Sequence, residues 1–483
     1  MDDLLNKVPT GLYIDGQWIK DTGRETINVL NPSTGKVLTN VANAGAEHAS
    51  QAVDAAHRAA GNWASTSPRE RSDLLRRCYD LMMEQHEDLA QLISLENGKA
   101  LSDARGEVTY AAEFFRWFSE EAVRIRGDIG SAPSGNNQII VQYQPIGISL
   151  LVTPWNFPAA MATRKIAPAL AAGCTCILKP ATATPLTAFL IAQIVEQAGI
   201  PAGVVNVLTT AKASDVTDTI LADPRVRKLS FTGSTAVGRL LLKKAADQVI
   251  SCSMELGGNA PFIVFEDANL EEAVEGAMLA KMRNGGEACT AANRIYVHRS
   301  IEDEFADLLT KRMAALEVGE GNSSSTECGP VVDQAALDKV LQLVDDAVAK
   351  GAKVATGGKA LQREGFYVAP TVLKNVPDSA DLVNEEIFGP VAPLIAFDSE
   401  EEVIARANKT EYGLISYVYT QDLSRGMRVA EKIESGMVAL NRGLASDPAA
   451  PFGGMKQSGL GREGSYHGIR EFMEVKYIAT QWG

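Results

Sequence analysis

Along the first 123 residues, apolar side chains recur every three to four positions. That spacing predicts helices over 49–60, 70–96 and 107–123, ahead of any strong strand signal. From Pro145 onward the period shortens. β-Branched and apolar runs at 146–152, 174–178, 204–208 and 228–231 alternate with helix-length segments, the pattern of parallel strand–helix–strand units wound onto both faces of one sheet. A second alternation begins near 261–265, passes through helical patterns at 269–282, 301–316 and 334–350, and reaches a strand-like run at 415–419. Two doubly wound α/β domains are therefore expected. The runs 137–144 and 475–480 read as strand material outside both series, the second suited to pairing with something like the first. A β-type contact between subunits is one use for such arms.

Composition narrows the class of function. The 483 residues are 46% apolar and 22% charged, enough for two or three buried cores. No stretch approaches the ~18 uninterrupted apolar residues of a membrane helix, and the best run, 166–178, follows directly on Arg164 and Lys165. The opening Met1-Asp2-Asp3 lacks the basic region and apolar core of a leader, so a cytoplasmic location is expected. A net charge of -14 argues against nucleic-acid binding, which needs clustered cations, and favours small-molecule chemistry. Cysteines at 78, 174, 176, 252, 289 and 328 are too sparse and irregular for a disulfide framework and read as reduced thiols. Histidines at 48, 57, 86, 298 and 467 form no i, i+4 pair and have no Cys-x-x-Cys partner, so no metal site is expected.

Gly459, Gly461 and Gly464 spell GxGxxG, yet only 19 residues follow Gly464. That is too short for the helix, second strand and ribose-binding acid that give the string its meaning, so it reads as a glycine-rich turn. Gly-Lys-Ser/Thr, His-Glu-x-x-His and Gly-x-Ser-x-Gly do not occur.

Candidate chemistry centres on Cys289, in the loop Gly285-Gly286-Glu287-Ala288-Cys289-Thr290 after an apolar helix. Alone, it would be an inert buried thiol; its companions change that reading. Glu255 ends an apolar strand ahead of Gly257 and Gly258. Asn156, in Thr153-Pro154-Trp155-Asn156-Phe157-Pro158, follows a buried-strand pattern and should emerge at the carboxyl edge of the sheet, where α/β proteins bind ligands. Lys179 ends another such strand before Pro180. Phe231-Thr232-Gly233-Ser234 leads into a helix over 235–246, whose free N–H groups suit an anion. Glu386 lies in Glu385-Glu386-Ile387-Phe388-Gly389-Pro390. Separately, each reads as a turn-former or a solvated charge.

Their order resembles the aldehyde dehydrogenase superfamily across essentially the whole chain. The resemblance rests on PWNFP at 154–158, LKP at 178–180, FTGS at 231–234, MELGG at 254–258, the Cys289 loop, EEIFGP at 385–390 and PFGG at 451–454. It implies an aldehyde dehydrogenase-like fold. Residues 1–121 with 145–254 would bind the dinucleotide, 255–441 would carry the nucleophile, and 122–144 with 463–483 would form a β oligomerisation arm of a homodimer or homotetramer.

The resemblance also implies a mechanism. Cys289 as thiolate attacks the aldehyde, Asn156 and the Cys289 N–H hold the oxyanion, hydride leaves for nicotinamide, and Glu255 activates the water that hydrolyses the thioester. Thr153, Pro154, Trp155, Asn156, Lys179, Pro180, Ala181, Thr182, Gly233, Ser234, Leu256, Glu386 and Phe388 would hold the cofactor. Where NAD-preferring relatives commonly carry a Glu for the adenine ribose, this chain has Thr182, which admits a 2′-phosphate beside Lys179. NADP is expected to be preferred, with NAD possible.

Within the superfamily, the segments 159–174, 228–238 and 256–265 resemble the succinate-semialdehyde dehydrogenases most. Such a substrate carries a distal carboxylate, for which Arg164, Arg283 and Ser446 match that group's binding residues. Glutarate semialdehyde or another short aldehyde is the alternative substrate. A cysteine hydrolase is disfavoured because no histidine falls in a matched motif, and a non-catalytic protein because Cys289, Glu255 and Asn156 are all present. Two positions depart from relatives. Ala291 replaces the second cysteine of redox-switched ones, and Glu287 replaces a frequent Gln, where a carboxylate would raise the Cys289 pKa.

Overall fold

Ile148–Val152 is buried along its whole length, as a strand covered on both faces must be. It lies at the centre of an eight-stranded sheet in a computed structural model that describes residues 2–481. Met1 and the last two positions of the expected arm, Trp482 and Gly483, lie outside the described residues. Parallel to the central strand run Cys176–Lys179 and then Val205–Val207 on one side, and Val226–Thr232 and then Ser251–Glu255 on the other. The strand order thus reverses at Ile148–Val152, and a crevice opens beyond the carboxyl ends of the strands there.

The edges of this sheet are closed from far away in the sequence. The hairpin Leu12–Ile14/Gln17–Ile19 adds antiparallel at Val207, and Gly459–Leu460 adds antiparallel at Met254 and Glu255. The glycine string therefore forms part of a sheet edge.

The first two predicted helical segments are longer or more divided than their periodicity. The 49–60 pattern extends over Ala46–Ser65, and the 70–96 pattern forms two helices, Pro68–Glu84 and His86–Asn97, broken at Gln85. Ser67 caps the first of these two by accepting from the Glu70 N–H at 3.2 Å, with Pro68 at the position where a missing N–H is harmless. Leu101–Ala122 packs on Pro158–Ala172, a helix buried at every residue including Arg164 and Lys165.

The second sheet has seven strands. Six are parallel, in spatial order Thr371–Lys374, Val391–Phe397, Ala292–His298, Ala260–Val264, Ile415–Tyr419 and Met437–Leu440, with Lys353–Thr356 antiparallel at one edge. The runs outside both sheets pair directly: Gln138–Pro145 lies antiparallel to Met473–Thr480 and to Asp128–Ser131. This small sheet leaves Ile129, Val475 and Tyr477 more than half exposed. Among the described residues no helix is long and apolar enough to cross a membrane.

Candidate active site

Two loops from opposite sheets meet at Cys289. The turn Thr153–Phe157 leaves the carboxyl end of Ile148–Val152 and starts the helix Pro158–Ala172. The Cys289 loop instead precedes a strand of the second sheet, Ala292–His298. To reach the cleft it runs through three left-handed residues, Asn284, Gly285 and Gly286. At Gly286 (φ 81°) a Cβ would come within 2.2 Å of the Gly389 carbonyl oxygen, so only glycine fits this crossing. Gly258 is as tightly bound: a side chain there would meet the Cys289 carbonyl oxygen at 2.5 Å.

Pro154, Trp155, Asn156, Gly233, Ser234, Glu255, Leu256, Cys289, Glu386 and Phe388 line one cleft. Thr232, Gly257, Met161, Ala336, Lys339 and Ile387 also line it, and sequence reasoning had not singled out any of these for that role. Trp155 and Phe388 meet edge to face, ring centroids 5.4 Å apart. Phe388 holds φ at 55°, a left-handed conformation costly for a bulky residue, so the surrounding structure imposes its place in the cleft.

Burial pushes the Cys289 thiol up to about 12, and the carboxyls of Glu386 and Glu255 push the same way, against Arg164 and Arg283. Glu287 does not turn its carboxyl on this thiol. It accepts from the Val332 N–H at 3.1 Å, and burial holds it well above the usual carboxylate range. Its backbone carbonyl is what the Asn156 amide donates to, at 3.0 Å, alongside the Asn284 amide at 2.9 Å.

Glu255 is raised for the same reason, burial first, then the Glu463 carboxyl. Its Oε2 has no hydrogen-bond partner among the described residues. Lys165 pairs with Glu463 and donates to the Ser230 hydroxyl at 3.0 Å, a buried acid–base pair immediately behind Glu255. Glu463 belongs to the glycine string. Its only signal in the sequence was a charge set between glycines.

Glu386 accepts from the Gly258 N–H at 3.2 Å and is raised to about 7 by burial. Its backbone carbonyl accepts from Lys339 at 2.7 Å. Thr153, Lys179, Pro180, Ala181 and Thr182 continue the carboxyl edge of the first sheet away from Cys289. Burial lowers the Lys179 ammonium to about 8; it donates to the Pro180 carbonyl at 3.0 Å and forms no ion pair among the described residues. The Thr182 hydroxyl donates to the Thr210 carbonyl at 3.0 Å, so it would have to turn to donate to a ligand.

The three expected carboxylate-binding residues differ in their surroundings. Arg164 is fully buried, stacked over Phe452 at 4.1 Å, bonded to the Tyr110 hydroxyl and 3.4 Å from Glu463. Arg283 is half-buried over the Phe157 ring at 5.0 Å, and its one side-chain hydrogen bond among the described residues, to the Thr290 hydroxyl, is long at 3.4 Å. Ser446 is half-buried on an irregular stretch.

The cleft fits a nicotinamide dinucleotide. The helix Thr235–Ala246 points its N-terminus at Ser234; among the described residues the buried Thr232 hydroxyl has no partner and the buried Lys179 ammonium no counter-charge; and Trp155 and Phe388 form an aromatic wall.

Comparison with known proteins gives a consistent result. The profile of the aldehyde dehydrogenase family matches residues 18–478. Over 442 residues the chain is 53% identical to a succinate-semialdehyde dehydrogenase of Paenarthrobacter nicotinovorans, covering 92% of this chain and 98% of that protein. It is 50% identical to a glutarate-semialdehyde dehydrogenase of Pseudomonas putida, covering 96% of each. The crystal structure of an NADP-dependent enzyme of E. coli superposes with a TM-score of 0.97 at 48% identity, covering 99% of both chains.

Proposed function

The chain belongs to the aldehyde dehydrogenase family, and from that premise we propose that it oxidises succinate semialdehyde to succinate with NADP in preference to NAD. The observation that carries the reading is the meeting of Cys289, Asn156 and Glu255 in one cleft, with Arg283 beside it and short of partners. Glutarate semialdehyde is the second reading, favoured by the Pseudomonas relative at 50% identity.

Cys289 is the nucleophile. As sulfur attacks the aldehyde carbon the thiol proton passes to solvent water in the cleft, where Cys289 is only half-buried, and Glu255 in the same cleft is kept for the hydrolytic step. The carbonyl oxygen becomes an oxyanion held by the Asn156 amide, which swings from the Glu287 carbonyl, and by the Cys289 N–H. The dinucleotide, when bound, supplies the hydride acceptor. Loss of hydride from the thiohemiacetal leaves a thioester on Cys289. Glu255 then deprotonates the water that attacks it, the C–S bond breaks, and the carboxylate leaves. Trp155 and Phe388 would wall the nicotinamide, Glu386 would hold a ribose, and Ser234 and the helix end behind it would hold the pyrophosphate.

No carboxylate stands at Thr182 to repel a 2′-phosphate, and the buried Lys179 ammonium gains a partner if one binds. Preference for NADP follows from those two features, with the Thr182 hydroxyl a secondary donor. In this reading 1–121 with 145–254 would hold the dinucleotide, 255–441 would carry the nucleophile, and 122–144 with 463–483 would form the oligomerisation arm. The exposed apolar side of the sheet formed by Gln138–Pro145 and Met473–Thr480 suits a contact in a homodimer or homotetramer.

Initial rates with succinate semialdehyde, glutarate semialdehyde and an uncharged aldehyde of similar length, each with NADP and NAD, test the reading. Preference for the four-carbon acid with NADP is expected. Arg283→Ala should raise KM for the acid by about 10- to 100-fold, the value of a hydrogen bond to a charged group, and leave the uncharged aldehyde unchanged. Equal rates on the uncharged aldehyde would refute the substrate assignment.

A further inference from the structure

Lys99 and Glu107 lie far from the cleft motifs in sequence, and both side chains are essentially fully buried, at 1% and 0% exposure. Their ion pair spans 2.6 Å. The Lys99 ammonium also donates to the backbone carbonyl of Asn156 at 2.7 Å and rests over the Phe157 ring at 4.2 Å, which occupies the directions left to it. Glu107 turns its other oxygen to the N–H groups of Ala159 and Ala160, at 2.9 and 3.2 Å, the free donors at the start of the helix Pro158–Ala172.

The turn that presents Asn156 is therefore clamped from both ends. Its exit is fixed by Glu107 at the helix start, and its carbonyl by Lys99 and by the Asn284 amide at 2.9 Å. One residue earlier, the Trp155 carbonyl accepts from the Asn97 amide at 3.2 Å. Asn97 and Lys99 flank Gly98, which ends the helix His86–Asn97 in a left-handed turn at φ 93°. A single bend thus delivers two side chains to two consecutive carbonyls.

We propose that Lys99, backed by Glu107, is a positioning residue for the oxyanion-binding amide of Asn156. It holds the Asn156 backbone, so that when the side chain leaves the Glu287 carbonyl it swings about a fixed pivot toward the oxygen on Cys289. Donors to an oxyanion act only within a few tenths of an ångström of their place, so loss of the clamp falls on kcat. This inference rests on the proposed role of Asn156.

Removing Lys99 alone would strand a buried carboxylate. The test variant is therefore Lys99→Met with Glu107→Gln, which removes both charges and keeps a carbonyl oxygen for Ala159 and Ala160. Lys99→Arg accompanies it as the charge-conserving variant. Each is measured in the wild-type and the Asn156→Ala background for kcat, for KM and, by fluorescence, for NADP dissociation. The expected result is a 10- to 100-fold loss of kcat in the double variant, NADP affinity within twofold, partial recovery in Lys99→Arg, and no further loss once Asn156 is alanine. Loss that multiplies with Asn156→Ala, or kcat within twofold of wild type while Asn156→Ala loses 100-fold or more, would overturn the positioning role alone. An Asn156→Ala enzyme of normal kcat would overturn the oxyanion reading and this inference with it.

Discussion

Glu287→Gln changes one atom in a closed environment, and its consequence can be worked from the surroundings. Among the described residues the carboxyl accepts one hydrogen bond, from Val332, and the ammonium that acts on it, Lys99, is already taken by Glu107 and the Asn156 carbonyl. Burial therefore dominates and holds this acid well above its ordinary 4.5. An acid raised on folding keeps its full contribution to stability below the unfolded-state pKa and loses it as pH rises toward the folded one. Each pH unit inside that window costs about 1.4 kcal/mol of stability. Glutamine keeps an acceptor for the Val332 N–H and has no charge to bury, so the variant escapes this loss. Urea denaturation of both proteins at pH 5, 6, 7 and 8 should give midpoints that separate steadily with pH, Glu287→Gln the more resistant. A gap that stays constant over that range, or that closes, would refute the claim that the acid carries a burial cost.

Two further outcomes address the chemistry. With its thiol pushed up to about 12, Cys289 is protonated at neutral pH. Alkylation of the ligand-free enzyme by iodoacetamide should then accelerate about tenfold per pH unit from 6 to 9, and a plateau inside that range would show a thiolate already formed at rest. Glu255→Gln, if Glu255 serves thioester hydrolysis, should release about one equivalent of reduced cofactor per site in a rapid burst before a steady rate lowered by about 10²- to 10⁴-fold. A slow steady rate with no burst would place Glu255 before the thioester instead.

Much of the site was legible because its residues lie at ends of strongly patterned elements. Asn156 follows five consecutive buried strand residues, and Gly233 and Ser234 follow seven strand residues and precede a regular helix. The resemblance to a family then joined these points into one cleft. The missed strands have local causes. Val391–Phe397 carries Pro393 in its middle, which argues against a strand, yet it is central enough to pair with Ala292–His298 and Thr371–Lys374. Leu12–Ile14 and Gln17–Ile19 have three residues each, too few for a period to register. The supporting charges were invisible for another reason. Lys165 meets Glu463 across 298 positions, and Glu107 is bonded to Ala159 across 52; only the tertiary fold turns what reads as solvated charge into buried pairs.

The placement of the cleft explains why so many of its groups are buried and out of their usual titration range. The first sheet contributes the carboxyl ends of its strands, through Thr153–Asn156, Gly233–Ser234 and Glu255. The second contributes the amino ends, through Gly257–Gly258 before Ala260–Val264, Cys289 before Ala292–His298 and Glu386–Phe388 before Val391–Phe397. The chain passes from Ser251–Glu255 to Ala260–Val264 through only four residues, so the edges of the two sheets are held close together. That closeness demands glycine where backbones cross, at Gly258 against the Cys289 carbonyl and at Gly286 against Gly389. It also withdraws Glu255 and Glu287 from solvent and half-buries Cys289 and Glu386, and burial is the first cause of the raised pKa of all four. The same dryness that raises their pKa values strengthens every hydrogen bond to an oxyanion formed there, which makes the aim of Asn156, and hence the clamp on its backbone, the point where small displacements cost most.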